Sequence, residues 1–241
     1  MAVPRFHHPN VAAGPATLSK RESHHACTVL RCRVGDRVLL FDGDGREAEA
    51  TLTQVRGSAA TVNIESVTEY PFDQWIRLTL AVAMPRKSRQ PFLIEKCTEL
   101  GVWSIWPMVS KRSVVKPGGD QTQRWLRTAI EAVKQSERRW LPRIETPQSF
   151  RATLERIDDF DAAIVTDARE SFASIAEVLR ERAAASRVLV WIGPEGGLSP
   201  DEVASAIDAG AVGARIGSHV LRVETAAITV AALAAVLQRS I

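Results

Sequence analysis

The sequence predicts an α/β protein: a mainly parallel sheet covered by helices, preceded by a small domain of short β-strands. Three observations predict it. Residues 36–68 carry short β-rich runs at close spacing, the pattern of a small β-barrel. From residue 76 onward, apolar runs of strand length alternate with segments of helical spacing. Between the two patterns lies Tyr70-Pro71, which reads as a linker.

In the β-rich part, Arg37-Val38-Leu39-Leu40-Phe41 is followed by Asp42-Gly43-Asp44-Gly45, a turn signal. Ala48–Val55 and Ala60–Val67 are the next two strands. The acidic turn lacks the downstream ligand spacing of an EF-hand, so a hairpin is expected there and not a calcium loop.

Beyond the linker, Ile76–Met84 reads as a buried strand. Gln90–Leu100 reads as a helix, with Phe92, Ile94, Cys97 and Leu100 at helical spacing and Gly101 as its stop. Val102–Val109 is a strand and Thr122–Arg138 an amphipathic helix. Then come strand Ala162–Thr166, helix Ile175–Arg182 and strand Arg187–Ile192. Ser199 is an N-cap, Pro200 takes the first helical position, and Glu202 completes a capping box. Val212–Ile216 is the last strand and Thr225–Gln238 the last helix. From Ala226 to Leu237 that helix has almost no polar face, so it must be covered, by its own sheet or by a second subunit. This predicts a homodimer built on the last helix.

Composition narrows the function classes. The chain has 241 residues, 45% of them apolar, enough for a sizeable core. No apolar run reaches the ~18 residues of a membrane span, and the first residues lack a signal-peptide pattern. A cytoplasmic location is expected. Cys27, Cys32 and Cys97 are odd in number and form no Cys-x-x-Cys pair, which argues against a disulfide framework or a zinc site. His7-His8 and His24-His25 have no acidic or cysteine partner at ligand spacing, so no metal is expected. The net charge of +3 is uneven: residues 1–140 carry 21 basic against 14 acidic side chains, and residues 141–241 carry 10 against 14. A basic first half suits a polyanionic partner such as nucleic acid, or is an ordinary solvated surface.

Two C-terminal loops carry the chemistry. Gly193-Pro194-Glu195-Gly196-Gly197-Leu198-Ser199 leaves a buried strand and enters a capped helix. Gly217-Ser218-His219-Val220-Leu221-Arg222-Val223-Glu224 does the same. In parallel α/β sheets ligands bind beyond the carboxyl ends of strands. The first loop has neither the Gly-Lys-Ser/Thr of a phosphate loop nor the dinucleotide Gly-x-Gly-x-x-Gly spacing. A ligand read by backbone amides and apolar side chains fits better than a phosphate.

At these residues a family resemblance emerges. Ile192-Gly193-Pro194-Glu195-Gly196-Gly197-Leu198-Ser199, with Asp201-Glu202, and Leu221-Arg222-Val223-Glu224-Thr225-Ala226 resemble the 16S ribosomal RNA uridine-N3 methyltransferases of the SPOUT superfamily. Pro4-Arg5-Phe6, His25 with Val29-Leu30-Arg31, Gly35-Asp36 and Phe41-Asp42-Gly43 resemble the family's N-terminal domain. Lys96, Glu99-Leu100-Gly101-Val102, Lys111-Arg112-Ser113 and Gln135-Ser136 with Arg138 resemble its central segment.

The resemblance implies a PUA-like RNA-binding barrel over residues 1–71 and a trefoil-knotted methyltransferase domain over residues 72–241. It also implies S-adenosylmethionine as cofactor, 16S ribosomal RNA of the small subunit as partner, and a homodimer through the C-terminal domain. Elementary chain topology would predict no knot. Two departures stand out. Lys134-Gln135-Ser136-Glu137-Arg138 replaces the family's frequent Glu-Gln-Ser-Gly-Arg, which puts the local helix end in question. Thr166-Asp167-Ala168 replaces a segment that often carries a histidine.

The cofactor residues implied are Thr166, Ile192, Gly193, Pro194, Glu195, Gly196, Gly197, Ile216, Gly217, Val220 and Leu221. Methylation at N3 needs the Watson–Crick edge unpaired and the imide proton lost. Arg222 is the candidate for stabilising the developing anion or gripping a phosphate. Glu224 is the candidate proton acceptor, or the group that orients Arg222, or a carboxylate favoured by the helix dipole. The basic residues expected to meet RNA phosphates are Arg5, Arg31, Arg33, Arg86, Lys87, Arg89, Lys111, Arg112 and Arg138. The competing readings are a knotted methyltransferase acting on transfer RNA or another ribosomal position, and a non-catalytic RNA-binding module.

Overall fold

A computed structural model of the chain describes residues 3–56, 59–72, 76–115, 118, 120–169 and 171–237. Gln238, the expected end of the last helix, lies outside them. The chain divides into two compact units, residues 1–73 with 133–141, and residues 74–132 with 142–241.

The first unit contains β1 (Arg5–His7), β2 (Gly14–Thr17), α1 (Lys20–His24), β3 (Arg37–Phe41), β4 (Arg46–Arg56) and β5 (Ala59–Glu69). α1 runs on as a π-helical turn to Val29. The strands form one sheet in the order β1-β3-β4-β5-β2, parallel between β1 and β3 and antiparallel elsewhere. Alternation puts Val38, Leu40, Ala48, Ala50, Leu52, Val62 and Ile64 into one core with Phe6 and Leu18. The acidic turn is a hairpin connection, as expected. Asp42 Oδ1 accepts from the backbone N–H of Asp44 and Arg46, and Gly43 and Gly45 take positive φ.

Residues 133–141 cluster with this unit for physical reasons. Lys134 Nζ lies 3.1 Å from Glu22 and donates to His25 Nδ1 at 2.8 Å. Arg139 Nε donates to Glu47 at 2.7 Å. These residues follow helix α3 (Asp120–Ser136), two residues shorter at its C-terminus than the periodicity suggests. Glu137 stops it with φ of +57°, the left-handed conformation that favours glycine.

The second unit contains β6 (Arg77–Ala83), α2 (Gln90–Glu99), β7 (Ser104–Val109), β8 (Arg143–Ile144), β9 (Gln148–Ser149), α4 (Phe150–Leu154), β10 (Ala162–Thr166), β11 (Ala173–Ser174), α5 (Ile175–Glu181), β12 (Arg187–Ile192), α6 (Pro200–Asp208), β13 (Val212–Arg215) and α7 (Val223–Val236). Its sheet runs β11-β13-β10-β12-β6-β7-β8, with β9 beside β7, and every pairing is parallel. β6 and β12 lie at its middle and are buried along nearly their whole length, as parallel strands covered on both faces must be. On one face Trp106, Met108, Leu189 and Trp191 pack with Phe150 of α4 and Val203 and Ala206 of α6. Trp191 is fully buried, and its Nε1 donates to Thr153 Oγ1 at 2.9 Å. α7 packs on β6 and β12, with α2 and α5 beside it.

The three cysteines are free, no described helix is long and apolar enough to cross a membrane, and the described residues hold no cluster of potential metal ligands.

Candidate functional site

A cavity of about 350 Å³ opens at the carboxyl ends of β10, β12 and β13. Because β10 lies between the other two strands, the segments leaving all three meet at one place. All eleven residues expected to bind a cofactor line it: Thr166 after β10, Ile192–Gly197 after β12, and Ile216, Gly217, Val220 and Leu221 after β13.

The segment after β12 is held by its own chemistry and by a neighbour. Gly197 N donates to Pro194 O at 2.8 Å, and Gly197 takes φ of +70°. Gly193 is required for a different reason: a Cβ there would stand 2.7 Å from the backbone nitrogen of Leu198. The capping box expected at Ser199 and Glu202 is present. The second oxygen of Glu202 accepts from the backbone N–H of Lys111 at 2.8 Å, and Arg112 Nη1 donates to Gly196 O at 2.8 Å. The turn after β7 therefore clamps the loop after β12. Thr166 Oγ1 donates to Trp191 O at 2.7 Å, tying the end of β10 to β12.

The segment after β13 is exposed. Val220 is 79% accessible although its side chain is apolar, so the cavity presents an uncovered apolar wall. Arg222 is the N-cap residue of α7 and is exposed, between Leu221 and Val223, which both line the cavity.

Glu224 stands in the first turn of α7, where the helix-dipole reading has it, and not beside Arg222 or the cavity. It is 3% exposed, does not line the cavity, and is not directed to Arg222. Its Oε1 accepts from Arg89 Nη1 at 2.6 Å, and its Oε2 is buried without a hydrogen-bond partner among the described residues. Each residue along a helix rotates the side-chain direction by about 100°, so Val223 and Ala226 face the cavity while Glu224 faces the start of α2.

The basic residues divide into groups. Arg31, Arg33, Arg86 and Lys87 are exposed. Arg5 is a correction: its guanidinium is only 9% exposed, pairs with Glu47 and donates to Arg138 O, so it is a core residue of the first unit and not a phosphate contact. Burial pushes its pKa down from the ordinary arginine value, against the pull of Glu47. Arg138 is half-buried in the same cluster. Arg89 holds Glu224, Lys111 lies 3.3 Å from Asp201, and Arg112 lines the cavity. Arg112 was legible as part of a basic cluster and of a family-like segment, but not as a residue of the cavity. Its reach to carbonyls 84 and 86 residues away leaves no mark in local sequence.

Comparison with known proteins follows the same division. Residues 73–235 match the model of an RNA methyltransferase domain, and residues 18–65 that of an RNA methyltransferase PUA domain. The chain is 31% identical to the ribosomal RNA small subunit methyltransferase E of Synechocystis, over 87% of this chain and 69% of that protein. It is 30% identical to the protein of the same name from Bacillus subtilis, over 87% and 85%. A ribosomal RNA small subunit methyltransferase E from Neisseria gonorrhoeae, bound to S-adenosyl methionine, superposes with a TM-score of 0.85 at 27% identity, covering 96% of each chain. A methyltransferase from Legionella pneumophila in complex with bound SAM gives 0.88 at 27% identity, covering 97% of each.

Proposed function

The chain belongs to the ribosomal RNA small subunit methyltransferase E family, and from that premise we propose that it methylates N3 of a uridine in 16S ribosomal RNA. It is an S-adenosylmethionine-dependent RNA methyltransferase. The observation that carries the reading is the cavity where three parallel strands end, walled by backbone and apolar side chains.

The residues present fit the cofactor. The cavity lies in the ~300–1,000 Å³ range of small-ligand sites. At Gly196 a Cβ would meet only the Arg112 side chain, at 3.8 Å, and at Gly217 nothing within 4 Å. Backbone there faces open space on which a nucleoside can lie. The backbone of Ile192, Gly193, Gly196, Ile216 and Leu221 would hold the adenosine. Bound S-adenosylmethionine supplies the electrophilic methyl group.

The chain's own contribution is position and charge. N3 loses its proton and forms the bond to the methyl carbon as the bond to sulfur breaks. Holding those atoms in line is worth much of the rate. Arg222, exposed at the rim, is placed to meet a uracil oxygen or an adjacent phosphate as negative charge develops. Its neighbour Glu224 is held by Arg89, which favours a positioning role for that carboxylate and passes the proton to water. Arg31, Arg33, Arg86 and Lys87 are the exposed cations that would meet RNA phosphates, so affinity should fall with salt.

Four finer features belong to the same reading: a barrel closed by the first unit's sheet for RNA, a trefoil knot formed by the loops of the cavity, a homodimer through α7, and a cytoplasmic site of action on the small subunit. The test is direct. Isolated small ribosomal subunits are incubated with the protein and labelled cofactor, and the methylated base is mapped. Label at N3 of one uridine of 16S RNA is expected. Label at another base or another atom, or none on RNA at all, overturns the reading.

A further inference from the structure

A second cavity, of about 220 Å³, lies at the opposite end of the same sheet. It opens at the amino ends of β12, β6, β7 and β8, where Arg187, Arg77, Trp103 and Arg143 stand. Along β12, Arg187 lines this cavity and Ile192 lines the cofactor cavity. Five residue steps of about 3.3 Å put the two roughly 17 Å apart. One bound nucleotide could not fill both.

The lining is unusual. Four arginines, Arg77, Arg143, Arg156 and Arg187, surround Trp103 and Trp106. The Arg77 and Arg143 guanidiniums stand 4.9 and 4.7 Å from the Trp103 ring centroid. Arg156 stands 3.8 Å from that of Trp106. Acidic side chains answer part of this charge: Glu145 and Asp159 lie 3.7 and 3.5 Å from Arg156, and Asp161 holds Arg187 at 2.8 Å. Arg143 has no carboxylate within salt-bridge distance among the described residues, and both Arg77 and Arg143 are exposed. The Arg143 guanidinium over its indole has its face satisfied and its N–H edges still able to donate, and the exposed Arg77 stands at the same ring. Paired edges of that kind suit the oxygens of a phosphate. Base stacking on Trp103 is less suited, because arginines already stand over it.

We infer that this cavity is a phosphate-binding site for the backbone of the RNA substrate, with Arg77 and Arg143 as its contacts. The inference rests on the methyltransferase reading, which supplies the RNA, and it adds an anchor remote from the reacting base. Such an anchor fixes register and contributes affinity without touching the chemistry.

The test uses the full chain and a short mixed-sequence single-stranded RNA, with binding followed by fluorescence anisotropy across a salt series. The double variant Arg77→Ala/Arg143→Ala should bind several-fold more weakly at low salt. The slope of log affinity against log salt should fall by about 1.4, the value for two lost single-strand contacts. Its affinity for S-adenosylmethionine should match the wild type, since the cofactor cavity is untouched. If the double variant has lost cofactor binding and is therefore misfolded, Arg143→Gln alone decides, with an expected slope change of about 0.7. Unchanged RNA affinity and slope in a folded variant overturn the inference and leave the methyltransferase reading standing. A wild type that binds the cofactor but neither binds this RNA nor labels the RNA of small subunits overturns both.

Discussion

At the scale of single residues, three glycine-related positions make different demands. A Cβ at Gly193 meets backbone at 2.7 and 3.0 Å, which cannot give way cheaply. Gly193→Ala should therefore displace the loop, lowering both the melting temperature and the cofactor affinity. Gly196 has open space, so Gly196→Val should keep the wild-type melting temperature and lose cofactor binding by filling the cavity. Calorimetry with S-adenosylmethionine beside a thermal melt separates the two, and normal cofactor affinity in Gly196→Val would contradict the assignment. Glu137 is the reverse case. It holds a left-handed φ of +57° at the end of α3, a conformation that favours glycine. Glu137→Gly should stabilise the chain by about 1 kcal/mol, read from urea denaturation. A loss of stability would mean that the Glu137 side chain is worth more than its backbone strain.

Glu224 is the residue where sequence and structure part. Its place beside Arg222 in the sequence made it a candidate base and its helix-start position a dipole-favoured carboxylate, and the side chain is buried against Arg89. Glu224→Gln keeps an acceptor for Arg89 and should leave the single-turnover rate at saturating cofactor within about twofold, far less than the 10²–10⁴-fold attributed to a general base. Glu224→Ala should destabilise by about 1–3 kcal/mol through the lost buried hydrogen bond. A large rate loss in a stable Glu224→Gln would restore the base role.

At the scale of elements, the strands are held in register by polar latches as well as by apolar burial. Asp161, just before β10, accepts from Ser186 N and Oγ and from Arg187 N, Nε and Nη2 at the start of β12. The Arg187 side chain first, then its backbone N–H and Ser186, hold this carboxyl far below the ordinary carboxylate range. The folded pKa thus lies below the unfolded value of 3.8, so the unfolded chain takes up the proton first as pH falls. The latch stabilises fully above that value and is lost in more acidic solution. Asp161→Asn should be less stable than wild type near about pH 7, and the gap should close towards about pH 2. A gap independent of pH would show that the latch acts through shape alone.

The same elements show what local sequence can and cannot carry. β10 and β12 were expected with the bounds they have, because a central parallel strand is a continuous apolar run flanked by polar residues. The capping box at Ser199 and Glu202 was legible because all its partners lie within four residues. β1 and β2 were not anticipated: runs of three and four residues are too short for a period of two to declare itself. α4 and β9 were missed for the same reason, although Phe150 and Thr153 support Trp191. Most of the cavity lining was legible as two strand-to-helix loops, the first of them glycine-rich. Arg112, which also lines the cavity, needed the strand order, and strand order depends on non-local pairing.

At the scale of the whole molecule, α7 raises the question of what covers an apolar helix. Val223, Ala226, Ala227, Val230, Ala231 and Ala234 are buried in the second unit, which accounts for one stripe. The remaining positions, Ile228, Ala232, Leu233 and Ala235, are only partly covered, and Val236 is 80% exposed. A stripe of apolar residues left partly open on an otherwise ordered helix suits the proposed homodimer, in which the same patch would meet itself across a two-fold axis. The chain should therefore run in light scattering at micromolar concentration at twice its 26.4 kDa. Ile228→Asp/Leu233→Asp should give the monomer mass, since two carboxylates cannot be buried against their own copies. Loop residues Ile216–Leu221 and Arg222 lead directly into α7, so the monomeric variant should also bind cofactor more weakly while keeping its secondary structure by circular dichroism. A wild type that is monomeric at every concentration, or a double aspartate variant that remains dimeric, would place the subunit contact elsewhere or abolish it.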